Sequence, residues 1–341
     1  MNPPVTIRTL TDGGQTAVEV AAEVAAFLDE AKRTLDLAQY DFELGTETAA
    51  IVAAAVGRAH DRGVRIRLVY NVDHRKPIPV PPPPSPDETL IRSLPVEATA
   101  IAGVPDLMHH KFVVRDDEAV WTGSMNWTDD SWTRQENVVA VVESAGVAAE
   151  FLLDFQQLLA TESVAGSGYV TPRWCDGVRV WFTPAHGEDL SHRMAQAVAH
   201  ARRRVRICSP VITAAPFLAV LAQSVAAGRI DVAGCVDETQ MRGVAYQWNV
   251  EGKSWKLPLL ARVARGAFSA KPSTPYGTGT VHDFMHAKVT VVDDTVFVGS
   301  FNLSRSGERN AENVLELEDV AIADQLAAFV DDVRGRYPRL D

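Results

Sequence analysis

One uncommon run of residues is written twice in this chain, as "MHHKFVVRDDEAVWTGSMN" at 108–126 and as "MHAKVTVVDDTVFVGSFN" at 285–302. The copies share six residue types in one order: His109, Lys111, Asp116, Gly123, Ser124 and Asn126, then His286, Lys288, Asp293, Gly299, Ser300 and Asn302. The histidines stand 177 positions apart and the asparagines 176, so one residue is lost before Gly299, which a short turn absorbs. A duplication of this kind requires the chain to build the same local structure twice.

The flanks repeat as well. In the first half "QTAVEVAAEVAAFLDEAKR" has the apolar spacing of an amphipathic helix, "TLDLAQYDF" reads as a strand, "TETAAIVAAAVGRAHDRG" as a second helix ending at Gly63, and "VRIRLVYNV" as a strand. "LSHRMAQAVAHARR", "RVRICSPVI", "APFLAVLAQSVAAGR" and "IDVAGCV" follow the same order in the second half. After the motifs, "ENVVAVVES" and "ENVLELEDV" each lead into a further helix. This alternation predicts an α/β fold of two tandem sandwich repeats, each with a central sheet. The seam is expected in the Gly/Ser-containing stretch 164–177, dividing the chain into 1–165 and 166–341.

Two segments break the symmetry upstream of the motifs. The Pro-rich "RKPIPVPPPPSPDE", with its prolines at 77–86, must be extended and stiff. The stretch 241–280 carries Arg242, Lys253, Lys256, Arg262, Arg265 and Lys271 against Glu251, interleaved with Tyr246, Trp248, Trp255, Phe268 and Tyr276. Basic plus aromatic suits a phosphate-bearing partner, while a solvated loop with packed aromatics is the plainer alternative. Either segment can wall a site.

The net charge of −11 argues against nonspecific coating of nucleic acid and leaves room for a local basic groove. Cys175, Cys208 and Cys235 lack metal-ligand spacing and read as free thiols. "MNPPVTIRTLTDGG" has no basic start followed by an apolar core, and no apolar run reaches bilayer length. The expected location is cytoplasmic, with peripheral membrane contact as an option.

On a strand, residues two apart share a face, so His109 and Lys111 project together while Phe112 and Val114 face the core; Ser124 pairs with Asn126 by the same rule. Ammonium, hydroxyl and carboxamide groups converging beside an imidazole can hold a tetrahedral oxyanion, and Gly123 and Gly299 let backbone come close. If the halves face each other about a pseudo-two-fold axis, the two imidazoles meet across one phosphate. One histidine then attacks phosphorus and the other protonates the leaving oxygen, without a metal or other cofactor. An attacking imidazole needs a partner for its other nitrogen, and Glu136 and Glu312, each ten residues past the motif Asn, are the candidates. Asp116 and Asp293 complete the motifs and are grouped with the catalytic candidates, but a carboxylate repels a phosphate, and they are expected to fix a turn or an ion pair behind the site. His110 is expected in the core, and His282 with Asp283 within reach of the site.

These residues resemble the phospholipase D superfamily, whose signature H-x-K-x4-D-x6-G-S-x-N is met in full by the first motif and with one residue fewer by the second. The resemblance implies two α/β/α repeats with one shared active site, a covalent phosphohistidine and no metal, with His109 as the usual nucleophile and His286 as general acid and then base. Lys111, Lys288, Ser124, Ser300, Asn126 and Asn302 would bind phosphate. "MHHKF" and "GSMNWT" look like the branch of cardiolipin hydrolases and metal-independent endonucleases. The reading is a phosphodiesterase or phosphatidyltransferase with a phospholipid as first-ranked substrate. An endonuclease acting on DNA or RNA is the alternative, and a non-catalytic phosphate-binding module the third. No obligate protein partner is implied.

Overall fold

A computed structural model describes residues 5–73, 86–274 and 281–340. Most of the Pro-rich segment, and Tyr276, lie outside the described residues. Seven strands form the first sheet, in the spatial order Val5–Leu10, Asn137–Glu143, Ala119–Gly123, Lys111–Arg115, Thr34–Gln39, Arg65–Val72 and Glu97–Ala102. The second sheet repeats this order with Val178–Thr183, Glu312–Glu318, Thr295–Gly299, Val289–Val292, Arg204–Cys208, Asp231–Asp237 and Ala267–Lys271, and adds the two-residue edge Trp174–Cys175. The duplication read from the motifs is thus a duplication of whole sheets.

In each sheet the last three strands of that order run parallel, and the motif strands join them antiparallel. The strands Lys111–Arg115 and Ala119–Gly123 are buried along their whole length. Their alternate side chains serve different cores: Phe112 and Val114 enter a central cluster drawn from both halves, while Val113 enters the outer core of the first half. In the second half the outer core collects Leu190, Val198, Phe217 and Leu221 from its two helices.

Local signals fix the helices. Ala17–Asp29 starts on a capping box between Thr16 and Glu19. Ala145–Thr161 and Val320–Arg336 are capped by Ser144 and Asp319, whose side chains accept from Val147 N and Ile322 N. Both helices bury one face in the central cluster, where Phe112, Phe151 and Phe182 meet edge to face at 5.1 and 5.0 Å. Burying rings of this kind contributes about 1.5–3 kcal/mol each, so the two halves share their largest packing term.

The periodicity reading passes over Val5–Leu10, Glu97–Ala102 and Val178–Thr183. All three are short strands at or near the sheet edges, and Val5–Leu10 is held by antiparallel pairing with Asn137–Glu143. The basic stretch folds as a helix Glu238–Val250, a 3-10 turn Ser254–Lys256 and a helix Leu257–Ala264, between two parallel strands of the second sheet. Among the described residues no helix is long and apolar enough to cross a membrane.

Candidate functional site

The segment before each motif strand crosses to the other half. His109 N donates to Ala311 O at 2.9 Å and Ala311 N to Leu107 O at 2.8 Å, a parallel bridge of Met108 with Ala311. Met285 makes the corresponding bridge with Glu136. These two contacts differ in register by one residue, because the repeat partner of Ala311 is Gln135 and not Glu136. Parallel pairing then carries His109 to Glu312 and His286 to Asn137.

The side chains follow that register. His109 Nδ1 lies 2.7 Å from Glu312 Oε2, and the carboxylate, which can only accept while ionised, accepts the hydrogen bond from Nδ1–H. His286 Nδ1 lies 3.0 Å from Asn137 Oδ1. The amide is oriented by its own nitrogen, which donates to Ser131 O at 2.9 Å, so Oδ1 is the acceptor and His286 Nδ1 carries the proton. In both rings Nε2 is left for chemistry.

Glu136 and Glu312 were expected to serve alike, and they differ. Glu136 is fully buried but turned to Lys271 Nζ at 3.1 Å and to the hydroxyl of Tyr337. Successive side chains on an extended segment point to opposite sides, so a one-residue shift exchanges glutamate for asparagine at the imidazole. Lys271 also reaches Asp12 at 3.1 Å and Arg134 O at 2.8 Å, and these contacts balance the buried charge.

His109, Lys111, His286 and Lys288 form one buried electropositive group. Each ammonium donates to the carbonyl two residues earlier, Lys111 to His109 O and Lys288 to His286 O, both at 2.6 Å. Burial, reinforced by both lysines, holds the two imidazoles well below the usual histidine range. Burial brings Lys111 down to about 7 against the pull of Glu312 and Asp41, and with help from Lys111 holds Lys288 well below the usual lysine range. Burial also lifts the Glu312 carboxyl to about 7. Such a site is short of negative charge, and an oxyanion placed in it would raise the proton affinity of every cation around it.

The remaining motif residues divide by role. Asn126 and Asn302 keep an Oδ1 without a hydrogen-bond partner among the described residues. The serines are already engaged: Ser124 Oγ donates to Asn137 Oδ1 at 2.7 Å and accepts from Val138 N, while Ser300 Oγ accepts from Asn313 N and hydrogen-bonds the Glu312 carboxyl. They position the histidine partners instead of pointing hydroxyls at a phosphate. The glycines make room for a neighbouring strand: a Cβ on Gly123, at φ +154°, would lie 2.2 Å from Val138 O, and one on Gly299 2.1 Å from Asn313 O.

Asp116 and Asp293 stand apart from the imidazoles, at the opposite ends of the motif strands. Asp116 follows Lys111 by five residues, about 16 Å of extended chain. Its carboxylate accepts from the backbone of Lys32, Arg33 and Thr34, as Asp293 does from Arg202, Arg203 and Arg204. Burial pushes both carboxyls up, but these amides outweigh it and hold them below the usual range. Grouping them with the catalytic candidates is therefore corrected: they brace the turn that joins helix to strand.

His110 is fully buried, 2.9 Å from Asp154 Oδ2 and 3.3 Å from Asn313 Oδ1. His282 stacks on Phe284, whose ring lies 4.6 Å from that of His286. Tyr40, Asp41 and Asn137 escaped the sequence reading. The Tyr40 ring meets His109 edge-on at 4.5 Å and lies 4.6 Å from Lys111 Nζ. The available signal was position, because Tyr40 and Asp41 follow the carboxyl end of a parallel strand, where open α/β sheets collect their ligands.

The basic insert is rooted beside the site. Asp237, which caps its first helix, also accepts from Met285 N at 3.2 Å, and Lys256 Nζ donates to Thr213 O at 3.0 Å. Trp248 and Phe268 are core residues, whereas Tyr246 and Trp255 are 70% and 58% exposed. Half of its described aromatics are thus structural.

Residues 24–159 and 194–333 each match the family described as "Cardiolipin synthase, PLD-like domain". The mitochondrial cardiolipin hydrolase of Homo sapiens is 27% identical over 128 residues, 38% of this chain and 46% of that protein. Its Xenopus tropicalis counterpart is 30% identical over 133 residues, 38% of this chain and 55% of that protein. The chain thus spans about half the length of the curated relatives it matches. The crystal structure of a phosphatidylserine synthase from Haemophilus influenzae Rd KW20 superposes over 98% of this chain and 88% of its own, with a TM-score of 0.67 at 13% identity, a likeness of fold alone. With both stretches matching over most of its length, the chain belongs to the phospholipase D superfamily and carries two of its domains in one polypeptide.

Proposed function

We propose that the two repeats, 1–165 and 166–341, together form one phosphodiesterase or phosphatidyltransferase site that works through a phosphohistidine on a phospholipid. The observation that carries this reading is the unequal support of the two imidazoles. His109 is backed by the Glu312 carboxylate and His286 by the neutral Asn137 amide. A carboxylate stabilises positive charge on the ring it touches, so His109 is the better nucleophile and the better carrier of a phosphoryl group. His286, without that charge, gives its proton up more readily.

In the first step His109 Nε2 attacks phosphorus, and the bond from phosphorus to the departing alcohol oxygen breaks as His286 Nε2 delivers its proton. In the second, His286 takes a proton from water or an acceptor alcohol, whose oxygen forms a new bond to phosphorus as the P–N bond breaks. Lys111 and Lys288 neutralise the phosphoryl oxygens, with Asn126 and Asn302 as hydrogen-bonding neighbours. Hydrolysis and transfer differ only in which oxygen enters.

The lipid assignment draws on the insert, whose exposed Tyr246 and Trp255 lie among Arg242, Lys253 and Lys256 in a chain of net charge −11. Amphipathic rings with adjacent cations suit a headgroup layer and peripheral membrane contact. The test incubates wild type, His109→Ala and His286→Ala in EDTA with mixed phospholipid vesicles, and separately with single-stranded DNA and RNA. Headgroup release by wild type alone supports the reading. Cleavage of nucleic acid alone replaces the lipid with a strand that stacks on the same rings.

A further inference from the structure

The first-repeat side of the site holds buried oxygen acceptors that lack donors. Asp41 Oδ1, Gln135 Oε1 and Asn126 Oδ1 have no hydrogen-bond partner among the described residues, although the residues are 5%, 2% and 6% exposed. Native proteins rarely leave such atoms empty, and groups of them mark places where something else binds. A phosphate cannot fill them, because its oxygens are acceptors too. They call for a ligand with several N–H or O–H donors.

Hydrogen bonds and charge interactions link the surroundings of the three groups. Asp41 follows Tyr40, the residue against His109 and Lys111, and Trp127 N donates to Asp41 O at 3.1 Å, which brings Asn126 alongside. Gln135 Nε2 donates to His282 O at 3.4 Å, and His282 N donates to Asp130 Oδ2 at 2.9 Å. Asp41 shares its field with Glu43 and Asp130 on the acidic side and with Lys111 on the basic side. Glu43 in turn feels Asp87 and Asp130.

The second repeat keeps only one of the three acceptors, Asn302 in the place of Asn126. The paired segments Phe42 with Trp127 and Ile212 with Leu303 are equivalent, so Val211 occupies the place of Asp41. The chemistry common to both halves therefore does not need the carboxylate. It distinguishes one side of a phosphodiester's surroundings from the other.

We infer that the rim of Asp41, Glu43 and Asp130 beside Lys111 is the subsite for a positively charged alcohol arm, so that the preferred substrates are phosphodiesters of amino alcohols. The inference rests on the phosphodiesterase reading above and names its substrate class. An ammonium offers three N–H donors to the orphaned oxygens and lies a short arm away from the phosphate held by the lysines. A polyanionic strand would meet the same carboxylates as a repulsion.

The full chain carrying His109→Asn, to stop turnover, would be titrated calorimetrically with glycerophosphoethanolamine and with glycerophosphoglycerol. Both are soluble phosphodiesters, and they differ in the charge of one arm. The ethanolamine ester is expected to bind about ten-fold more tightly, the scale of one partly buried charge contact. Adding Asp41→Asn, or Glu43→Gln at a more exposed position that leaves the fold intact, should bring the two affinities within about two-fold. Equal affinities at the outset, tighter binding of the glycerol ester, or a preference that survives both substitutions would overturn the inference. So would a preference that vanishes in EDTA and returns with Ca2+, which would give the rim to a metal ion. Silence on vesicles together with an intact ethanolamine preference would sink the membrane-lipid reading and leave the subsite standing.

Discussion

His286 presents its Nδ1–H to Asn137 Oδ1 at 3.0 Å, one position past the glutamate that the sequence repeat would bring to it. The same dipeptide, Glu-Asn, follows both motifs, yet each imidazole takes a different member of it. Two nearly identical half-sites thereby acquire unequal histidines.

That inequality is open to test. Glu312→Gln keeps an acceptor at His109 and removes its charge, and kcat is expected to fall by about 10²-fold or more, as when a catalytic histidine loses its carboxylate. Asn137→Asp gives His286 a carboxylate, which favours the imidazolium and raises its pKa. In the proposed mechanism His286 acts first as an acid, so activity lost on the alkaline side would then be lost at higher pH. An alkaline limb that stays in place, or a Glu312→Gln enzyme within about three-fold of wild type, would contradict the assignment.

Oxyanion binding should carry a proton with it. Burial holds Lys111 at about 7, and a bound anion raises that value by supplying the missing charge. A group whose pKa rises on binding adds affinity that is fully present below its free value and fades as pH climbs through its bound value. Sulfate, which does not itself titrate near neutrality, is expected to bind progressively more weakly above about pH 7. Calorimetry in buffers of different ionisation enthalpy should register proton uptake; a flat profile would mean that the lysines are already charged before the anion binds.

The turn aspartates predict a loss of stability. Asp116 and Asp293 have left-handed backbone, φ +57° and +53°, which asparagine tolerates, so Asp→Asn isolates the charge. Each substitution is expected to cost about 1–3 kcal/mol, the value of hydrogen bonds to a charged acceptor. Because the folded carboxyl is held below its usual range, its contribution is present above the unfolded pKa and lost as pH falls through the folded one. Urea titrations of wild type and variant should therefore diverge at neutral pH and converge in acid. Equal midpoints at neutral pH would remove the role.

Much of the fold was legible because it was local. Alternating apolar patterns marked the helices and central strands, and the matching flanks announced two copies of one sheet. Short edge strands such as Val5–Leu10 were not marked, since their order comes from pairing with Asn137–Glu143 more than from their own residues. The insert shows a related limit. Its five aromatics look alike in sequence, but Trp248 and Phe268 are core while Tyr246 and Trp255 face solvent, a division set by what each helix packs against.

The sequence by itself determined that two His-Lys pairs exist, that each leads into an apolar strand, and that the halves repeat. It did not determine what stands behind each imidazole. That depends on how the segment of one repeat registers against the segment of the other, Met108 with Ala311 but Met285 with Glu136. Such bridges join residues far apart in the chain and are fixed by the packing of the shared core. A shift of one residue turns the neighbouring side chain to the opposite face, so tertiary structure alone chose glutamate for His109 and asparagine for His286.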